Sequence, residues 1–180
     1  IKALYKYLQA NNLITVNVWS ELKVSKKQQI LPKYLTIDEI NLFLNNMNQT
    51  TPLDLRNRAM FELLYATGMR VSELINVELN DVDLTEGLVK VNSTCSKQRI
   101  IPINQVAQKH LNRYLVNGRL QLQQTLTNFV FLNTRGQRLS RQGFNKILKA
   151  EMLKVNITNV SAHIFRHSLA THLLDAGVNL

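Results

Sequence analysis

Apolar positions along this chain fall mostly at helical spacing. Ile1, Leu4, Tyr5 and Leu8 form a short run that Asn11-Asn12 end. From Trp19 to Lys33 the periodicity fades. Lys23, Lys26, Lys27, Gln28 and Gln29 read as an exposed basic linker, and Pro32 closes it. Thr36-Ile37-Asp38-Glu39 has the spacing of a capping box, which predicts a helix with Ile37, Ile40, Leu42, Phe43, Leu44 and Met47 inward. Thr51-Pro52 starts another, with Leu55, Ala59, Met60, Leu63 and Leu64 recurring up to Gly68. A third helical stretch is expected from Val71 to about Val77.

The period then changes. Leu88–Val91 and Arg99–Ile103 are short runs of β-type composition, separated by the polar turn Asn92–Gln98. Asn104 caps a helix with Val106, Leu111 and Leu115 inward, and Phe129–Leu132 is expected to be the third strand. Ser140 caps a helix through about Met152. Ser161 opens the last one, with Ile164, Leu169, Leu173 and Leu174 as its apolar side. The fold class is therefore mainly α with a small three-stranded antiparallel sheet. Residues 1–30 are expected to be the end of a preceding helical domain plus linker, and 31–180 a second domain.

Composition narrows the function. The chain has 180 residues, 45% of them hydrophobic, and one cysteine, Cys95. A disulfide framework is excluded, a reducing, cytoplasmic setting fits, and no apolar run suits a bilayer span. The net charge is +10 and it is unevenly placed. Between Gly87 and Ala150 stand eleven basic residues and no Asp or Glu. A field of one sign over that length points to a polyanion, with nucleic acid the first candidate and a membrane surface disfavoured. Lys90, Arg99, Arg135, Arg138, Arg141 and Lys146 are the expected DNA contacts.

Three constellations carry chemistry. In Ala66-Thr67-Gly68-Met69-Arg70-Val71-Ser72-Glu73-Leu74 an arginine opens a helix, where backbone N–H groups favour an anion. Glu73, three residues on, can share a face with Arg70 and orient its guanidinium. On spacing alone, a plain helix–helix turn with a surface ion pair is the better explanation of this stretch. In Ser161-Ala162-His163-Ile164-Phe165-Arg166-His167-Ser168, His163 and Arg166 share a helix face, so a proton-transfer group lies beside an anion-binding one. His163 and His167 also have the spacing of a zinc pair. Arg166 beside them opposes a dication, so no metal is expected, and His167 and His172 read as structural. The turn Ser93-Thr94-Cys95-Ser96-Lys97-Gln98-Arg99 places a lysine at a hairpin tip.

Taken in order, Arg70, Lys97 and His163-x-x-Arg166 resemble the tyrosine recombinase family, also called phage integrases, and most of all its Xer-type members. Leu64–Leu74 is similar to the family's first arginine motif, and His163–Leu174 to its His-x-x-Arg motif. The resemblance covers about Leu31 to Leu180. It implies double-stranded DNA as the partner, a DNA-clamping domain before the linker, strand cleavage and rejoining through a 3′-phosphotyrosyl intermediate, no cofactor or metal, and a tetramer of subunits on paired sites. It implies Arg70, Lys97, His163 and Arg166 as catalytic residues, with Glu73 in support.

Two departures stand out. Aligned from Arg70, the family's hairpin lysine falls on Thr94 and its second basic position on Lys97. The nucleophilic tyrosine follows the His-x-x-Arg motif in the family, whereas the tyrosines here are Tyr5, Tyr7, Tyr34, Tyr65 and Tyr114. The chain is thus expected to be a segment that lacks the nucleophile and is inactive alone. A DNA-binding module without chemistry is the other reading. A metal-dependent nuclease would need clustered carboxylates, which the sequence does not offer.

Overall fold

The computed structural model describes residues 2–16, 34–92, 98–158 and 160–177. The basic linker, the hairpin tip with Thr94, Cys95 and Lys97, and the residues after Gly177 lie outside them. The chain divides into two compact units, Ile1–Leu31 and Pro32–Leu180. The first contributes one described helix, α1 (Lys2–Ala10).

The second unit is built on a helix that is buried along its middle. Helix α2 (Ile37–Asn45) leads to α3 (Pro52–Thr67) and the one-turn α4 (Val71–Leu74). Both long helices begin as the sequence predicts. Thr36 Oγ1 accepts from the Glu39 N–H at 3.2 Å while Glu39 Oε2 accepts from the Thr36 N–H at 2.8 Å. Thr51 and Asp54 repeat the pattern under Pro52. Every residue of α3 from Leu55 to Leu64 is buried, polar ones included. Arg56 donates to the Leu132 carbonyl at 2.8 Å, and Arg58 pairs with Glu62 at 2.6 Å. The Arg56 guanidinium is fully partnered, by the Leu132 carbonyl and by Asn57, whereas Arg58 meets Glu62 through Nη2 alone and its Nε and Nη1 are buried without a described partner.

A 3₁₀ turn (Leu79–Asp81) leads into the sheet, β1 (Val82–Asp83), β2 (Leu88–Asn92) and β3 (Gln98–Pro102), antiparallel in that order. Val89 sits opposite both Val82 and Ile101, and Val89 and Val91 turn inward from β2. Helix α5 (Gln105–Tyr114) runs through a π turn (Leu115–Arg119) into the short α6 (Leu120–Leu122). Helices α7 (Arg141–Leu153) and α8 (Ala162–Asp175) complete the unit.

The third strand is not where the periodicity put it. Phe129–Leu132 makes isolated bridges, Phe129 to Glu78 and Leu132 to Arg138, and β1 takes the place in the sheet. Side chains claim its backbone instead. Tyr114 donates to the Val130 carbonyl at 3.0 Å, Arg119 to that of Phe129 at 3.0 Å, and Arg56 to that of Leu132. Val130, Phe131 and Leu132 are all buried, so no alternating face exists. The helix after Gly68 is also shorter than expected. It stops at Leu74, and Val77 instead accepts from the Val130 N–H at 2.9 Å. The inward sets need three corrections. Ile37 and Leu42, Val106, and Leu174 are each half exposed or more. The residues that do face inward are Ile40, Phe43, Leu44 and Met47, then Ala107, Leu111 and Tyr114, then Phe165 and Ser168.

Phe165 matters most for the site. Its ring lies 5.8 Å from Phe61 of α3 in a stacked arrangement and 5.5 Å from Phe43 of α2, edge on. Ser168 accepts from the Leu35 N–H at 2.9 Å and donates to the Ile164 carbonyl. These anchors fix the rotation of α8, so His163 and Arg166 turn away from the core.

Candidate active site

Two segments far apart in sequence meet at Gly68. Helix α3 ends there with φ +58°, the Gly68 N–H donating to the Leu64 carbonyl at 2.9 Å. A side chain at this backbone angle is strained, and a Cβ would stand 2.9 Å from Leu169 Cδ2 of α8. The freed Gly68 carbonyl accepts from Arg166 Nη1 at 2.9 Å. The two motifs are therefore bonded to each other. Gly68→Ala is expected to cost about 1–2 kcal/mol from the left-handed backbone alone. It should also push the end of the Leu169 side chain aside. Thermal melting of the Gly68→Ala variant checks this cost.

Arg70 follows Met69, which is buried, and occupies the N-cap position of α4. Its N–H donates to Glu73 Oε2 at 2.7 Å and its Nη1 to Glu73 Oε1 at 3.3 Å. The Arg70 side chain is 60% exposed and that of Glu73 only 5%. The carboxylate is also gripped by Arg99 of β3, Nη1 to Oε1 at 2.9 Å and Nη2 to Oε2 at 2.8 Å. Chiefly through the Arg99 hydrogen bonds, and then through the Arg70 N–H and the charges of both arginines, Glu73 is held down at about 2 against the opposing effect of burial. It stays ionised wherever the protein is folded at ordinary pH.

Arg70 and Arg166 face a concavity of about 270 Å³. Met69 to Ser72 form one side, Ser161, Ala162, His163 and Arg166 another, and Arg141 with Asn145 of α7 a third. His163 is exposed and Arg166 half-buried. The described lining holds three arginines and a histidine and no carboxylate. Such a surface suits one tetrahedral anion approached by several forked donors. Among the described residues no group of three or more His, Cys, Asp or Glu is arranged to hold a metal ion.

The chain matches the model of the phage integrase family over residues 33–180. It belongs to that family. Tyrosine recombinase XerD of Halalkalibacterium halodurans is 44% identical over 182 residues, which covers all of this chain and 61% of that protein. XerD of Listeria innocua is 38% identical over 183 residues, again all of this chain and 62% of the relative. The chain thus spans about three-fifths of the length of these curated relatives. A crystal structure of XerA recombinase superposes with a TM-score of 0.73 at 31% identity, over 82% of this chain and 53% of that one. The Tn1549 transposon integrase with a circular intermediate DNA gives 0.84 at 20% identity, over 99% of this chain and 65% of its own, a likeness of fold.

The residues expected from the sequence divide three ways. Arg70, His163 and Arg166 are brought together, and Glu73 supports Arg70 as the spacing implied. Lys97 lies outside the described residues. Of the expected DNA contacts, Lys90, Arg135, Arg141 and Lys146 are exposed. Arg138 is also exposed, but it donates to Asn76 and lies 5.3 Å over the Phe129 ring. Arg99 is partly exposed and pairs with Glu73 through both Nη atoms. His172 Nδ1 lies 2.9 Å from the Tyr65 hydroxyl, and His167 meets the Tyr34 ring edge on. Two features were missed. Asn145 lines the concavity one helical turn after Arg141, a spacing readable in the sequence. The Glu73–Arg99 pair spans 26 positions and has no local signal.

Proposed function

We propose that the protein containing this chain is a site-specific DNA recombinase that cuts and rejoins strands through a 3′-phosphotyrosyl intermediate. One observation carries the reading: two arginines from separate motifs, bonded through Gly68, share with His163 a concavity whose described lining has no carboxylate. The family membership agrees with it.

The residues act as follows. A tyrosine hydroxyl attacks the scissile phosphorus, a new O–P bond forms, and the bond to the 5′-oxygen breaks. Negative charge grows on the two non-bridging oxygens, where Arg70 and Arg166 neutralise it with forked donors. His163 takes the tyrosine proton or donates to the same oxygens. Lys97 protonates the departing 5′-oxygen. Attack by a 5′-hydroxyl of the partner duplex reverses each step and reseals the strand. The ester bond is conserved, so neither ATP nor a metal enters the balance.

The attacking tyrosine is none of those described near the site. Tyr114 is buried, donates to the Val130 carbonyl and is pushed up to about 12 by that burial. Tyr65 is committed to His172, and neither it nor Tyr34 lines the concavity. The 180-residue segment should accordingly bind without cutting. With nicked target DNA it is expected to give a mobility shift that weakens steeply with salt, because exposed Lys and Arg between Gly87 and Ala150 displace counterions. No covalent product should form, and covalent product from the segment would place the nucleophile within it. The full-length protein should give a covalent adduct in EDTA on a suicide substrate. Absence of that adduct would refute the recombinase reading.

The basic stretch holds the duplex, and assembly of further subunits, a tetramer on paired sites, is proposed on the same family grounds. The expected setting is the cytoplasm. Among the described residues no helix is long and apolar enough to cross a membrane.

A further inference from the structure

We propose that Arg99 is a positioning residue for Arg70, acting through Glu73, and not a DNA contact. The inference rests on the recombinase reading above and deepens it.

Among the described residues the carboxylate of Glu73 has four donors. Oε2 takes the Arg70 N–H at 2.7 Å and Arg99 Nη2 at 2.8 Å. Oε1 takes Arg99 Nη1 at 2.9 Å and Arg70 Nη1 at 3.3 Å. The two shorter guanidinium bonds both come from Arg99. Its planar fork sets the plane of the carboxylate, because a bidentate pair fixes both oxygens at once. Arg70 then bonds to oxygens whose places are already decided. Its own hold is looser, since its guanidinium contact is the longest of the four and its side chain is 60% exposed.

The arrangement also explains why a half-exposed arginine should stand in this pair. Glu73 is 5% exposed at its side chain, so half its donors cannot be replaced freely by water. Without Arg99 the carboxylate is free to turn toward the Arg70 guanidinium and draw it away from the concavity. Arg99 is absent from the lining of that concavity, and both of its Nη atoms are occupied by Glu73. Two of its five N–H donors are engaged in this way, in the fork that fixes the carboxylate. A displacement of about 1 Å in a group aligned on a reacting phosphate is enough to lower the rate on the order of 10²-fold.

The test compares Arg99→Gln, Arg99→Lys, Glu73→Gln and the double variant Arg99→Gln/Glu73→Gln in the full-length protein. Duplex binding is measured over a salt series and covalent adduct formation on a suicide substrate at saturating protein, with thermal melts confirming the fold. For Arg99→Gln the expected result is an unchanged salt slope and cleavage slower by on the order of 10²-fold. Arg99→Lys keeps a cation beside Glu73 and should recover part of the rate. In the Glu73→Gln background the Arg99 change should add no further loss, because both act through one contact. Three results would overturn the proposal: a salt slope shallower by about 1, the mark of a lost phosphate contact; parental cleavage in Arg99→Gln; or losses that multiply in the double variant. If Arg99→Gln does not fold, Arg99→Lys decides: cleavage below the parental rate supports the positioning role, and a parental rate overturns it. A parental protein that forms no adduct fails earlier, and it overturns the recombinase reading together with this role.

Discussion

Arg166→Ala and Arg70→Ala, each in the full-length protein, are expected to lower strand cleavage on the order of 10²–10³-fold, the usual loss for one preorganised donor at a developing oxyanion. Duplex affinity should stay close to parental, because many exposed basic residues outside the concavity remain. The two arginines differ in what else they do. Among the described residues Arg70 is held by Glu73, within its own turn, so its removal should leave melting nearly unchanged. Arg166 also donates to the Gly68 carbonyl, so its loss leaves that acceptor short of a partner and costs about 1 kcal/mol in addition. Lysine at either position restores charge without the fork and should recover only part of the rate. Parental recombination by either alanine variant, measured on paired target sites, would remove that arginine from the reacting phosphate.

Much of this fold could be read from the sequence where the signal is local. The caps Thr36, Thr51, Asn104 and Ser140 each accept the N–H three residues on, as their spacing implies. The hairpin of β2 and β3 follows from its β-type composition. The failures share one cause, competition from distant groups. Phe129–Leu132 has strand composition, yet Arg56 of α3, Tyr114 of α5 and Arg119 of the π turn reach its carbonyls. No window around residue 130 contains that information. The same holds for the site. Arg70 and His163-x-x-Arg166 were legible because each motif is continuous and together they match a family pattern. The bond from Arg166 to Gly68 bridges 98 positions and the Glu73–Arg99 pair 26, and only folding reveals them. Charge was legible in sum but not in use. Arg119 counts toward the basic stretch, yet it is buried and satisfied by the Phe129 and Thr127 carbonyls and by Gln123.

Lys97→Ala is expected to slow cleavage of an ordinary phosphodiester by about 10²–10⁴-fold if Lys97 is the general acid. The 5′-alkoxide is a poor leaving group, and a proton delivered as the P–O bond breaks removes the charge it would otherwise carry. A substrate with sulfur at the 5′-bridging position leaves as a thiolate, which is stable without protonation. The Lys97→Ala variant should therefore cleave the sulfur substrate at close to the parental rate. Arg70→Ala should remain slow on both substrates, because its defect lies in the charge on the non-bridging oxygens, which sulfur at the bridge does not relieve. Equal loss on both substrates by Lys97→Ala would assign the lysine to gripping a phosphate, and its binding should then show a salt slope shallower by about 1. Parental rates on both would mean that this hairpin supplies no acid. Thr94, which stands where the family's lysine aligns and carries no ammonium, would then mark a true departure from the family's chemistry.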